Sequence, residues 1–135
     1  SVKGSDPEQF LTSYLEFFDR LVTPIIDRAL QFNAKVVFCA PTDVNGYLPT
    51  HNSRVAKPQG NDPVWNAANS RNRRFYLPVG LNAGRSTEPF IVQTYKREMA
   101  PGVFQPVVDM GAPVWVRGMH WGALRLAFTA EVSAV

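Results

Sequence analysis

The sequence predicts an α+β fold: a long N-terminal helix, a hairpin, a helical middle and a three-stranded meander. Three observations predict it. Apolar residues from Phe10 to Val22 recur at helical spacing. The run from Lys35 to Pro41 is dominated by β-branched and aromatic residues, and Asn45-Gly46 follows it as a hairpin signal. Three further strand-like runs are joined by Pro101-Gly102 and Arg117-Gly118, connections short enough for antiparallel hairpins. The chain has 135 residues, 45% of them apolar. That is the size of one domain, so residues 1–135 are expected to share a single core.

In order, Asp6-Pro7 reads as the start of the first helix, with Asp6 as its N-cap. Phe10, Leu11, Tyr14, Leu15, Phe17, Phe18, Leu21 and Val22 form a wide apolar stripe. Thr23-Pro24 restarts or kinks the helix, which continues to about Phe32. After the Lys35–Pro41 strand, Asp43–Gly46 turns the chain into a short return strand, Tyr47–Thr50. Residues 53–61 are polar loop. Asp62-Pro63 caps a second helix predicted to reach Arg73 or Phe75, and Pro78 to Arg85 reads as a turn-rich connector. The last strands are predicted at Pro89–Glu98, at Val103–Val116 with a break near Gly111-Ala112-Pro113, and at His120–Glu131.

Charge and composition narrow the function classes. The net charge is +3, and the only dense basic run is Arg71, Arg73 and Arg74. No stripe of base-stacking aromatics accompanies it, so nucleic acid is not an expected partner. The single Cys39 lies in an apolar run and reads as a small buried hydrophobe rather than a reactive thiol. No stretch approaches the roughly 18 apolar residues of a membrane span, so no direct membrane insertion is expected of this segment. With one cysteine and no export pattern, the expected compartment is the cytosol, with the periplasm as the alternative.

The candidate site residues are polar groups at informative spacing. Asn66, Asn69 and Arg73 fall at i, i+3 and i+7, one face of the predicted helix, with Arg74 and the apolar Trp65 beside them. Asn supplies donors and an acceptor, and Arg supplies a planar fork for carboxylate or phosphate. The competing reading is a solvated face pairing with Glu88 or Glu98. In the Phe90–Glu98 strand, Ile91, Gln93, Tyr95 and Arg97 share one face and Phe90, Val92, Thr94 and Lys96 the other. Asp109 interrupts an apolar run, either as a buried partner for Arg125 or Arg117 or as a ligand contact; the structural pairing is favoured. His51 and His120 lack metal-ligand spacing and are read as hydrogen-bonded anchors, so neither metal nor cofactor is expected. No nucleophile elbow, phosphate loop or paired acids at motif spacing occur, and no catalytic residue is assigned.

Several stretches resemble a known family. Asp43-Val44-Asn45-Gly46-Tyr47 through His51 is similar to the D-x-x-G-x-x-x-x-H hairpin of Cache domains, and Val116 to Arg125 resembles their closing hairpin. Gly46 to Asn52, Trp65-Asn66 through Arg74, and Gly80-Leu81 through Gln93-Thr94-Tyr95 resemble a PAS-like, single-Cache sensor domain of bacterial methyl-accepting chemotaxis proteins. Tyr76-Leu77-Pro78-Val79 departs from that pattern, where an acidic, polar turn is expected.

The resemblance implies the long N-terminal helix packed on a five-stranded antiparallel PAS/Cache-like sheet, with a helical insertion between strands two and three. It implies a cytosolic segment of a longer receptor that binds a small, anionic molecule and signals through its N-terminal helix to the receptor's own signalling helices. In that topology the pocket lies between the sheet and the Asp62–Arg74 helix, with Gly80–Arg85 as its rim. Trp65, Asn66, Asn69, Arg73, Arg85, Tyr95 and Asp109 are the expected ligand-binding residues, with Arg73 meeting the anionic group. The apolar surplus from Phe10 to Leu30 predicts a homodimer. The competing functions are a small cone-like α+β enzyme or carrier, and a ligand-free dimerisation module.

Overall fold

The computed structural model describes residues 1–130. Its centre is a four-stranded antiparallel sheet of β1 (Val36–Asp43), β4 (Ile91–Ala100), β5 (Val103–Val116) and β6 (Met119–Thr129), in the order β1-β6-β5-β4. A second sheet holds two short strands, β2 (Tyr47–Leu48) and β3 (Arg74–Phe75). Four helices surround them: α1 (Leu15–Leu21), α2 (Thr23–Ala29), α3 (Pro63–Asn69) and α4 (Val79–Arg85). The α+β class therefore holds, with the strands divided between two sheets.

Register assigns the two faces of the main sheet. Phe38, Ala40 and Thr42 of β1 lie opposite Ala127, Arg125 and Ala123 of β6, and Arg125 in turn lies opposite Gly111 of β5. Alternation puts these on one face, called inner here. Phe38, Ala40 and Ala127 form a core cluster there with Leu48 of β2. On the outer face, Cys39 packs with Ile26 and Ala29 of α2. Burial pushes the Cys39 thiol up to about 11, in keeping with an inert buried sulfur.

The N-terminal segment differs from the expected long helix. Asp6 is not a cap; the Asp6–Pro7 bond is cis, and helix begins only at Leu15. The backbone of this segment bonds to distant chain instead of to itself. Phe10 N–H donates to the Arg73 carbonyl at 2.8 Å, and Tyr47 Oη donates to the Phe10 carbonyl at 2.6 Å. Phe10 also meets Phe75 edge-on, with ring centroids 5.0 Å apart. Tertiary partners thus outweigh a helical periodicity that is present in the sequence. The restart at Thr23-Pro24 holds, but Thr23 is the first helical residue, and its hydroxyl bonds Thr50 Oγ1 at 2.7 Å rather than capping.

The Asp43–Gly46 turn forms, yet it makes no hairpin with β1. Asp43 Oδ1 accepts from the N–H groups of Asn45 (2.8 Å) and Tyr47 (3.0 Å), and Gly46 takes a left-handed φ of 79°. The returning β2 pairs with β3. The free edge of β1 is instead covered by side chains: Asn52 Oδ1 accepts from Cys39 N–H at 2.9 Å, and Arg54 Nη2 donates to the Val37 carbonyl at 2.5 Å.

The helical middle is also cut differently. Asp62 caps α3 as expected, accepting from Val64 N–H at 2.9 Å. The helix stops at Asn69, because Ser70 enters an antiparallel bridge with Ala56 and Arg73 adopts a φ of 62°. The predicted connector at 78–85 is the helix α4. Gly80, Ala83 and Gly84 are buried on it, facing the inner sheet surface. β5 runs unbroken through Gly111-Ala112-Pro113. A β-carbon on Gly111 would stand 3.2 Å from Ile91 Cγ2 and 3.7 Å from both Ala83 Cβ and Arg125 Cγ, a close but not closed site. β4 and β6 lie within two residues of expectation, and Glu131 falls outside the described residues.

Two glycines stand directly against backbone. A β-carbon on Gly84 would stand 1.9 Å from the Asp43 carbonyl oxygen, and one on Gly122 would stand 2.0 Å from that of Thr42. Gly84→Ala should therefore lower stability by at least about 2–3 kcal/mol, since overpacking here pushes against rigid backbone. Gly60→Ala, where a β-carbon meets nothing within 4 Å, should stay near wild type. Urea unfolding midpoints of the two variants decide the comparison.

Candidate functional site

The inner face of the sheet is covered at one end by α4 and overhung at the other by α3. Between them lies an open cleft of about 630 Å³. Its floor is Phe38 of β1, Tyr95 and Arg97 of β4, Arg125 of β6, and His51 from the segment after β2. Its apolar wall is Pro63, Val64, Ala67 and Ala68 of α3, and Arg71, Arg74 and Tyr76 close a third side. The volume falls within the range of small-molecule sites, roughly 300–1,000 Å³.

One ion pair organises the floor. Arg125 Nη2 and Nε reach the two carboxylate oxygens of Asp109 at 2.5 and 3.4 Å, with both side chains buried. Tyr95 Oη donates to Asp109 Oδ2 at 2.8 Å, and Arg125 Nη1 donates to Thr42 Oγ1 at 3.2 Å. Burial works against the Arg125 charge, but Asp109 and Tyr95 more than offset it and raise its pKa. Burial, then Asp109, raises the Tyr95 phenol, which stays protonated.

The other cleft guanidiniums have no such partner. Arg71, Arg74 and Arg97 form no ion pair within 4.0 Å with a carboxylate among the described residues. Arg71 donates to the carbonyls of Ala68 and Glu98, each at 3.0 Å, and Arg74 to that of Ala67 at 3.4 Å. Arg97 is 9% exposed and meets only the Met99 sulfur at 3.6 Å and the Phe38 ring, 5.1 Å from its centroid. Burial and then Arg71 pull the Arg97 pKa down to about 10, so it remains a cation at neutral pH. His51 is wholly buried among these charges. Desolvation, followed by Arg97, Arg71, Arg125 and Arg54, holds its pKa well below the usual 6.5. Its Nδ1 accepts from Asn52 N–H at 2.7 Å, so the ring is neutral with its proton on Nε2.

The residues expected from the sequence are partly dispersed. Tyr95 lines the cleft, and Asp109 lies beneath it as the partner of Arg125. Arg73 does not share a helix face with Asn66 and Asn69, because α3 ends before it; it pairs with Asp19 at 2.5 Å, not with Glu88 or Glu98. Asn66 is buried and structural. It accepts from Gly60 N–H at 2.8 Å and donates to the carbonyls of Asp6 and Gly60, each at 3.0 Å. Asn69 folds back onto the Trp65 carbonyl at 2.9 Å, and Trp65 is 41% exposed. Neither lines the cleft. Arg85 is exposed and donates to the Val44 carbonyl at 3.2 Å, and α4 is a packed helix rather than a movable rim. His51 and His120 both hold the anchoring bonds expected of them; His120 Nε2 lies 3.0 Å from the Gly122 carbonyl.

Sequence reasoning missed Arg71, Arg97, His51 and Phe38 as members of one site. A signal existed for Arg97: it shares strand parity with Tyr95, and a cation on an inward face is unusual without a carboxylate. In comparisons with known proteins, no family model, no curated protein and no solved structure matches this chain.

Two outcomes follow from the buried groups. Asp109→Ala leaves the Arg125 charge uncompensated and should cost about 3–5 kcal/mol, the scale for breaking a buried pair from one side. Chemical denaturation reads it directly. His51 is held neutral in the fold but binds a proton below about pH 6.5 once unfolded, so acid favours the unfolded chain. Its contribution is complete above that pH and is lost as pH falls from 6.5 toward the depressed folded value, by up to about 1.4 kcal/mol per pH unit. Unfolding free energies at two pH values bracketing that window should converge for His51→Gln relative to wild type.

Proposed function

We propose that this chain is a ligand-sensing domain of the PAS-like, single-Cache kind carried by bacterial chemoreceptors, and that it binds a small anion in the inner cleft. The observation that carries the reading is the set of guanidiniums without an ion-pair partner among the described residues, Arg71, Arg74 and Arg97, converging on a roomy cleft with an aromatic floor. Arg97 is buried and Arg71 and Arg74 are half-buried, and a desolvated cation is costly unless something neutralises it. The antiparallel sheet, with α3 and α4 lying between β2 and β4 in sequence, supports the sensor architecture, while the main sheet has four strands where five were expected, because β2 pairs with β3.

Binding fits better than catalysis. The buried acid, Asp109, is paired with Arg125 and not with His51, and the Tyr95 and Tyr76 protons are committed to Asp109 and the Arg71 carbonyl. A group poised for acid–base work is missing from that arrangement. The helices α1 and α2 are the proposed output to the receptor's signalling helices, in the cytosol. The proposed homodimer uses the same region, supported by exposed Phe17, Leu21, Ile25 and Phe32 and by an apolar groove of about 330 Å³ beside α2.

A thermal-shift screen of carboxylates, amino acids and purines, followed by calorimetry, tests the reading. Arg71→Ala should weaken binding of any hit by about 1.5–3 kcal/mol, the scale of a hydrogen bond to a charged group. Arg73→Ala, engaged with Asp19, should leave affinity unchanged. A hit indifferent to Arg71 and Arg74 but sensitive to Arg73 would move the site away from the cleft. Sedimentation should show a dimer that Ile25→Glu converts to monomer; a wild-type monomer at high micromolar concentration would remove the homodimer from the proposal.

A further inference from the structure

The charge balance of the cleft narrows the ligand class, and this step rests on the proposal that the cleft is the ligand site. Each guanidinium carries five N–H donors, and Arg71, Arg74 and Arg97 spend few of them on protein acceptors. His51 adds an Nε2–H, since its Nδ1 is occupied by Asn52 N–H. The Tyr76 and Tyr95 hydroxyl protons are already committed. The carboxylates on the lining, Asp6 and Glu98, belong to exposed residues and form no ion pair with these cations. The buried part of the cleft is therefore rich in donors, and its carboxylates stand only at exposed positions.

A single negative charge would leave this cluster unbalanced. Arg71 and Arg97 already act on one another, and both bear on His51. Glu98 acts on Arg71 from an exposed position, but no carboxylate forms an ion pair with any of the three guanidiniums among the described residues. Three such cations are better matched by two negative charges in one compact group, held by several charge-assisted forks. Such a group does not fill about 630 Å³. What remains is bounded by Val64, Ala67, Ala68 and the Phe38 ring, surfaces that suit an apolar body. We propose that the cleft selects a ligand with a compact dianionic head, a phosphoryl group or a short dicarboxylate, carried on an apolar body.

Calorimetry on the full chain, slightly above neutral pH, tests this with four probes sharing a phenyl body. These are phenyl phosphate, phenylsuccinate, benzoate and benzyl alcohol. The dianions should bind at least about tenfold more tightly than benzoate. Arg97→Gln should abolish most of that preference, and Arg74→Gln, at a half-buried position, serves if the first variant does not fold. Phenyl phosphate ahead of phenylsuccinate assigns the head as phosphoryl, and the reverse order assigns it as dicarboxylate. Benzoate binding as tightly as the dianions would overturn the dianion inference and leave the anion site standing. Benzyl alcohol matching the anions, or no probe binding at all, would overturn both.

Discussion

Arg125 stands in the middle of the sheet and joins all four of its strands through side chains on one face. It projects from β6, pairs with Asp109 of β5, meets Tyr95 of β4 at 3.4 Å and donates to Thr42 of β1. Its charge could be tolerated there only with Asp109 beside it, and Asp109 in turn needs the phenol of Tyr95. This network lies on the inner face between α4 and the apolar cluster of Phe38, Ala40, Leu48 and Ala127. It also decides the character of the cleft. Because Arg125 has its own counter-charge, it contributes structure there, while Arg97, on the edge strand β4 and without a carboxylate ion pair among the described residues, contributes unspent charge.

The elements legible in the sequence were those whose signals are local. The strands at both ends of the sheet, the cap at Asp62 and the helix restart near Pro24 appear close to where propensity and turn chemistry put them. The pairing of Asp109 with Arg125 was also legible, since an acid inside an apolar run needs a cation. A cleft does open between the sheet and α3, on the side where the resemblance put one.

What was not legible depends on contacts distant in sequence. Nothing local says that Phe10 will spend its N–H on Arg73, and so residues 7–14 read as helix from their periodicity. Arg73 looked like a helix-face residue because the bridge between Ala56 and Ser70, which ends α3, is itself a tertiary event. The glycines at 80 and 84 read as turn signals, although Gly84 lets a helix touch the backbone of Asp43 and Gly80 lets it pack against Tyr76 and the Gly46 carbonyl. The same logic scattered the expected site. Its members were chosen by spacing on a helix that stops early, while the cations that do converge come from three separate elements.

His51 and Asn52 are neighbours in the chain with opposite allegiances. His51 lies on the cleft floor against Phe38, with ring centroids 5.5 Å apart. Asn52 is wholly buried and holds α2, donating from Nδ2 to the Ile26 carbonyl at 3.0 Å and to Asp27 at 3.2 Å while it accepts from Cys39. Phe38 and Cys39 repeat the arrangement on β1, one side chain inward and the next outward to α2. The two surfaces of the molecule are thus stitched together twice by single peptide bonds. A planar, inextensible unit of about 3.8 Å is the whole mechanical distance between them. No compliant layer lies between the cleft floor and the anchor of α2, so strain raised on one side has almost no material in which to dissipate before it reaches the other.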